Sequence, residues 1–122
     1  MKIYRCPICG NIIEVLEGDI SHITCCKTEM ELLEANVVDA GKEKHLPVYK
    51  KDGDKIIVSV GEIAHPMDDG HYINWIMMVS GKEVIRVNLQ PSDKPKAVFE
   101  YEKGAEIYAY CNKHGLWKVK ID

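Results

Sequence analysis

The hydrophobic positions after residue 50 recur at every second residue, which is typical of half-buried β-strands. The clearest example is the C-terminal segment, where Trp117, Val119 and Ile121 alternate with two lysines. Alternation or a β-branched run predicts strands over residues 55–60, 72–79, 85–89, 97–101, 107–111 and 117–121. Glycine, proline and aspartate occupy the turns between several of them. Since no segment has the period of a long amphipathic helix, the pattern predicts an all-β fold, an antiparallel β-sandwich.

The first 36 residues have a different pattern and predict a separate small domain. One apolar strand candidate spans residues 12–16, and four cysteines fall within the first 26 residues. Residues 30–38 are mildly apolar and are interpreted as a strand or a connector. Domains below ~40 residues usually need a metal, disulfides or a partner chain, because their apolar core is too small. We therefore predict two domains, residues 1–36 and residues 37–122.

Composition favours a soluble globular protein, with 46% hydrophobic and 29% charged residues. The longest uninterrupted apolar run, residues 75–79, is far shorter than the ~20 residues of a membrane helix. The N-terminus has no apolar stretch of the kind found in secretory signals. Residues 1–36 carry a net charge of −3 and the rest is balanced, so no basic block supports nucleic-acid binding. We expect a cytoplasmic protein that binds neither membranes nor nucleic acid.

Four cysteines of the first domain, Cys6, Cys9, Cys25 and Cys26, predict a metal site. An odd total of five cysteines, in a chain without an export signal, argues for reduced thiols rather than a disulfide framework. A Cys-x-x-Cys turn directs two thiolates at one point, and tetrahedral thiolate sites suit zinc and iron equally. The adjacent pair requires a backbone turn, because successive side chains on a strand point to opposite faces. A vicinal disulfide is a third alternative, and it would leave Cys6 and Cys9 without a role.

Four histidines and the fifth cysteine form a second candidate cluster: His45, His65, His71, Cys111 and His114. A lone histidine is more often a satisfied polar residue than a metal ligand. Here, however, His71 begins a predicted strand and Cys111 ends another. The ends of strands in a sandwich can converge at one end of the domain, where these side chains would meet.

Both sets of residues resemble those of one known family. Cys-x-x-Cys followed by a vicinal cysteine pair resembles desulforedoxin, which holds a single iron in a dimer. The Glu-Lys-His triplet at 43–45, the histidines six residues apart and the segment Cys-Asn-x-His-Gly-Leu-Trp at 111–117 resemble the catalytic domain of superoxide reductases, the neelaredoxin and desulfoferrodoxin family. The resemblance covers essentially the whole chain. It implies a desulforedoxin-like domain followed by an immunoglobulin-like β-sandwich.

The same resemblance implies a ligand set and partners. It implies two iron ions per chain, one held by the four cysteines and one in a square pyramid. In the second, Cys111 would be axial and the equatorial ligands would be His45, His65, His71 and His114. Five ligands leave one position open for a small molecule, and the opposite thiolate donates electron density. The implied partners are superoxide, an external electron donor such as rubredoxin, and a second copy in a homodimer.

Two charged residues beside His45 acquire roles through the resemblance alone. Lys44 would steer superoxide toward the iron, and Glu43 would occupy the sixth position of the ferric iron after turnover. The alternative for each is a solvated surface residue, because lysine and glutamate usually lie at the surface. His22 is interpreted as a surface residue, and Trp75 and Trp117 as sandwich core, with Trp117 close enough to His114 to pack near the site.

Three functional hypotheses follow. The first is a superoxide reductase, the second a non-catalytic iron electron carrier, and the third a zinc-binding interaction module. Only the first accounts for the five residues of the second candidate cluster. The four-cysteine iron either relays electrons or stabilises the fold and the dimer, and the sequence leaves both roles open.

Overall fold

The computed structural model describes residues 1–19, 22–38, 45–61 and 65–122, and every regular element in these ranges is a β-strand. The all-β prediction is therefore confirmed. The chain divides into two compact units, Met1–Glu34 and Ala35–Asp122. Within the described ranges no helix is long and apolar enough to cross a bilayer.

The first unit is built from very short strands. Its sheet has the antiparallel order β2-β1-β5, and a hairpin of β3 and β4 completes it. Among the residues described in this unit, Ile3, Cys6 and Met30 are the buried hydrophobic side chains. So small a core agrees with the expectation that something besides apolar packing holds this unit together. Its strands are β1 (Lys2–Arg5), β2 (Ile12–Val15), β3 (Thr24–Cys25), β4 (Thr28–Glu29) and β5 (Glu31–Leu32).

The second unit is a sandwich of two antiparallel sheets, with orders β10-β7-β6 and β12-β11-β8-β9. One buried cluster takes side chains from both sheets, including Val58 from the first and Ile107 from the second. The strands are β6 (Pro47–Asp52), β7 (Lys55–Val60), β8 (Ile73–Ser80), β9 (Glu83–Asn88), β10 (Lys96–Glu100), β11 (Glu106–Cys111) and β12 (Gly115–Lys120).

The strand predicted over residues 72–79 forms as β8, but its alternation is interrupted near its first residues. The pairing of β11 with β8 joins Tyr110 to Trp75 and then Cys111 to Ile73, which leaves Asn74 as an extra residue in a β-bulge. Ile73 therefore points into the core. The interpretation of Trp75 as sandwich core is wrong, because Trp75 lies outside the core cluster and stacks on Tyr110, with ring centroids 5.7 Å apart. The bulge turns the side chains at the start of β8 toward the opposite face of the sheet. An alternating sequence pattern gives no sign of such an inserted residue.

Ile107→Ala should destabilise the second unit by about 2–5 kcal/mol, because truncating a fully buried side chain leaves a cavity. Ile107 has 0% of its surface exposed. Val98→Ala, at a strand position that is 56% exposed, is the matched control and should cost less than about 1 kcal/mol. Denaturant unfolding followed by circular dichroism measures both, and equal losses would contradict the placement of the core.

Candidate metal centres

The four-cysteine cluster, Cys6, Cys9, Cys25 and Cys26, is assembled by two turns. Cys6 follows β1 and Cys9 lies three residues on, while Cys25 ends β3. The two-residue connection to β4 is Cys26 and Lys27, whose φ angles are +53° and +60°. Two consecutive residues with positive φ are typical of the type I′ hairpin turn. This turn lets adjacent cysteines contribute to one site.

The sulfur atoms of this cluster are arranged for a metal and not for a disulfide. All four Sγ atoms lie within 4.8 Å of one another. The vicinal pair, Cys25 and Cys26, has its sulfurs 4.0 Å apart, about twice the ~2.05 Å of a disulfide bond. All five cysteines are reduced. Four sulfur donors at such distances fit a tetrahedral thiolate site for iron or zinc.

The thiols of this cluster do not ionise alike without a cation. A hydrogen bond from the backbone N–H of Cys9 lowers the pKa of the Cys6 thiol to about 6. Hydrogen bonding to the Cys9 side chain raises the pKa of Cys25, and it raises the pKa of Cys26 to about 12. Near neutral pH the cluster therefore retains protons, and a thiophilic cation must displace them when it binds.

The histidine–cysteine cluster draws its side chains from three separate segments. His45 stands two residues before β6, and His65 and His71 lie between β7 and β8. Cys111 ends β11, and His114 belongs to the hairpin that leads into β12. The structure brings all five together, with one donor atom from each within 4.8 Å of the others.

The four imidazoles of this cluster follow one another around a closed ring. The ring centroid of His45 lies 4.6 Å from that of His114 and 4.9 Å from that of His65. The centroid of His71 lies 5.0 Å from those of both His65 and His114. All four pairs meet edge to face. Cys111 Sγ lies 3.7 Å from His114 Nδ1, which is itself 3.0 Å from His45 Nε2. Four nitrogen donors and one thiolate around a common centre fit a first-row transition metal such as iron.

Neighbouring groups orient these rings. The Nδ1 of His65 lies 2.8 Å from the carbonyl oxygen of Pro66. Since a carbonyl can only accept, Nδ1 carries the proton and Nε2 presents its lone pair. Trp117 stacks on His45 with an interplanar angle of 16°, and its Nε1 donates to the carbonyl oxygen of His114 at 3.1 Å. The expected proximity of Trp117 to the site is thus found, and the indole contacts two residues of the cluster, His45 and His114.

Two predicted site residues, Glu43 and Lys44, lie outside the described residues, and their roles stay predictions. His22 takes no part in either cluster: it is exposed, with its Nδ1 2.6 Å from a carboxylate oxygen of Glu29. The periodicity contained no sign of the bulge at Asn74, which adjoins the candidate ligand Cys111 in the sheet.

Comparisons with known proteins cover nearly the whole chain. The profile of the family described as "Desulfoferrodoxin" matches residues 37–120, and that of "Desulfoferrodoxin, N-terminal domain" matches residues 1–33. Desulfoferrodoxin of Syntrophotalea carbinolica is 48% identical over 118 residues, covering 96% of this chain and 94% of that protein. Desulfoferrodoxin of Nitratidesulfovibrio vulgaris is 40% identical over 121 residues, covering 98% and 95%.

A solved structure is also similar to this chain over nearly its full length. The crystal structure of the superoxide reductase from Treponema pallidum superposes with a TM-score of 0.78 at 26% identity, covering 98% of this chain and 97% of that one. The two cysteine-containing clusters correspond to the two metal sites that the resemblance implies. The chain therefore belongs to the desulfoferrodoxin family.

Proposed function

We propose that this chain reduces superoxide to hydrogen peroxide at the histidine–cysteine cluster. It is a superoxide reductase, an enzyme in which each superoxide takes up one electron and two protons. The observation that carries the proposal is the closed ring of four imidazoles with Cys111 Sγ beside it. An electron-transfer protein has no need of this second, mixed ligand set, because the four-cysteine cluster alone would suffice for storing an electron.

The ligand residues favour an anionic substrate. The five residues that would hold the iron are His45, His65, His71, Cys111 and His114, and the bound ferrous ion would supply the single electron for superoxide reduction. Imidazoles bind metal ions in their neutral form, and a Cys111 thiolate would add one negative charge, so a divalent cation there would keep a net positive charge. The thiolate also donates electron density to the metal, as thiolate ligands do in haem proteins. Both effects arise from the choice of ligands rather than from any single hydrogen bond.

The cluster is buried on one side and open on another. Cys111, His45 and His65 are almost fully buried, whereas His71 is half-buried and His114 is exposed. Superoxide, a small anion, would approach from the side of His71 and His114. Deep burial of Cys111 keeps water and larger oxidants away from the sulfur, which supports a long-lived thiolate ligand.

Lys44→Ala should slow superoxide capture by about 10-fold at low salt and weaken its dependence on ionic strength, because a cation beside the site raises the encounter rate. The rate is measured by pulse radiolysis with reduced protein over a series of salt concentrations. Lys82→Ala is the matched control, since Lys82 lies in the β8–β9 turn at the end of β8 remote from His71. Identical salt slopes for the Lys44 variant and the wild type would refute the steering role, and Glu43→Ala should have the smaller effect.

We also infer the roles of the two domains, the electron donor, the oligomeric state and the cellular location. Residues 1–36 form an iron domain and residues 37–122 the catalytic sandwich. Electrons come from an external one-electron donor such as rubredoxin, and two chains form a homodimer in a cytoplasmic setting that keeps the thiols reduced. Family membership and the two donor sets support these assignments. Sedimentation equilibrium tests the dimer, and a rate of reoxidation that rises with rubredoxin concentration tests the donor.

Product stoichiometry tests the activity itself. Fully reduced, iron-loaded protein is mixed with superoxide, and both hydrogen peroxide and dioxygen are quantified. One peroxide per superoxide without dioxygen is expected of a reductase supplied with electrons. Equal amounts of peroxide and dioxygen would instead show dismutation. If the loaded protein did not react, the proposal would fail and the electron-carrier hypothesis would replace it.

A further inference from the structure

We propose that Asn112 is a positioning residue, which fastens together the two segments that carry His71, Cys111 and His114 and thereby retains iron in the histidine–cysteine cluster. The side chain itself is no metal ligand. This inference rests on iron binding at that cluster, which is part of the proposed function. The sequence alone would assign Asn112 to an ordinary turn, because asparagine is a common turn residue.

Three hydrogen bonds join Asn112 to the segment around His71. Its side-chain Oδ1 accepts from the backbone N–H of Tyr72 at 3.0 Å, and its Nδ2 donates to the carbonyl oxygen of Gly70 at 3.1 Å. Its backbone N–H donates to the carbonyl oxygen of Tyr72 at 3.3 Å. The two side-chain bonds thus hold the residues on either side of His71, so the carboxamide fixes the backbone from which that imidazole projects.

Both segments that Asn112 joins are themselves tight turns. His71 closes a turn with Asp68, in which the two residues exchange backbone hydrogen bonds of 3.0 and 3.1 Å. Cys111 pairs with Gly115 at the base of the β11–β12 hairpin, where Gly115 has φ +88°, a value that favours glycine. Backbone pairing closes each of these turns. Their relative placement depends on what connects them, and Asn112 supplies three connections.

The β-bulge explains why a side chain is needed here. The register of β11 on β8 shifts between Tyr110 and Cys111, and beyond Cys111 the chain leaves the sheet for the hairpin. The backbone carbonyl of a continuing strand would otherwise accept from the N–H of Tyr72. Asn112 keeps one half of that pairing, because its backbone N–H still donates to the Tyr72 carbonyl oxygen. Its side-chain Oδ1 replaces its own carbonyl as the acceptor for the Tyr72 N–H.

The carboxamide is suited to this position because it donates and accepts at once. Aspartate would accept from the Tyr72 N–H but could not donate to the Gly70 carbonyl, and it would place a negative charge beside that oxygen. Alanine would do neither. Groups that orient metal ligands from outside typically contribute 10–100-fold to metal affinity. Asn112→Ala should therefore release iron about 10–100-fold faster, and Asn112→Asp should give an intermediate value.

The experiment follows iron release from the iron-loaded, full-length protein into excess chelator. The thiolate charge-transfer absorption of each iron site reports its occupancy, so the four-cysteine cluster serves as an internal control whose release rate should not change. Hydrogen exchange of the Tyr72 amide gives a readout independent of the metal and should accelerate in Asn112→Ala. Lys113→Ala, an exposed substitution in the same hairpin, is the matched control and should match the wild type.

Each outcome decides the proposal. Faster release from the histidine–cysteine cluster, graded from alanine to aspartate, with a shifted charge-transfer band, supports the positioning role. Unchanged release and an unshifted band, despite faster exchange at Tyr72, would overturn it and leave Asn112 a fold residue only. If Asn112→Ala does not fold, the aspartate variant decides alone by the same criteria. A wild-type protein that holds no iron at this cluster would instead refute the proposed function on which the inference rests.

Discussion

Cys111→Ser should abolish superoxide reduction, lowering the rate by more than about 100-fold, while the β-sandwich stays folded. Cys111 is fully buried, and its Sγ lies 3.7 Å from His114 Nδ1. A serine hydroxyl stays protonated at neutral pH, so it neither supplies negative charge nor donates electron density as a thiolate does. The buried hydroxyl should cost about 1–3 kcal/mol of stability, which a sandwich domain tolerates. Peroxide formation and thermal unfolding measure the two effects separately.

The control for this substitution is another cysteine-to-serine change outside the histidine–cysteine cluster. Cys9→Ser alters the exposed side of the four-cysteine cluster. In protein that has been reduced beforehand, Cys9→Ser should leave the first turnover unchanged. The iron at the histidine–cysteine cluster then already carries the electron that superoxide takes up. A Cys111 variant that reduced superoxide at the wild-type rate would remove the thiolate from the chemistry. Loss of the first turnover in the Cys9 variant would show that the first cluster takes a direct part.

Removing the metal from the four-cysteine cluster should unfold Met1–Glu34 and leave Ala35–Asp122 folded. The described residues of the first unit bury only Ile3, Cys6 and Met30 among their hydrophobic side chains, too few to offset the chain entropy lost on folding. In small thiolate-metal domains the metal contributes about 10–16 kcal/mol, which amounts to the folding free energy. The pKa values of the Cys25 and Cys26 thiols are raised, so protons compete with the metal for these two sulfurs. Metal loss should therefore be easier at low pH.

Amide hydrogen exchange, residue by residue, separates the two units in one experiment. After chelation under reducing conditions, protection at Ile3 and Tyr4 of β1 should vanish while protection at Ile107 and Ala109 of β11 persists. Adding back iron or zinc should restore β1. Persistent protection of β1 in the metal-free protein would contradict a metal-dependent fold, and loss of protection in β11 would show that the units unfold together.

Much of the fold was predictable because burial on one face leaves a period of two in the sequence. The strands over β7, β10, β11 and β12 correspond closely to the alternating segments. The pattern missed β6, whose sequence from Pro47 to Asp52 ends in three charged residues and barely alternates. Pairing with β7, through a turn in which Gly53 has φ +64°, makes it a strand. Here tertiary pairing overrides a weak local preference.

The candidate site was predictable in its chemistry and not in its geometry. Histidine and cysteine are uncommon enough as a group to be noticed, and their order resembles a known family. How they are held depends on features without a sequence period: the bulge at Asn74, the stacking of Trp117 on His45 and the carboxamide of Asn112. Each of these joins segments far apart in the chain. Such non-local contacts cannot be read from a single local pattern.

The spacing of the two clusters along the chain sets the order in which they can mature. The four-cysteine cluster has all its ligands once residue 26 has left the ribosome, whereas the histidine–cysteine cluster lacks a ligand until His114 emerges. At roughly 5–20 residues per second, translation separates these moments by several seconds. A nascent chain can therefore capture its first metal ion while the second coordination sphere is still unfinished.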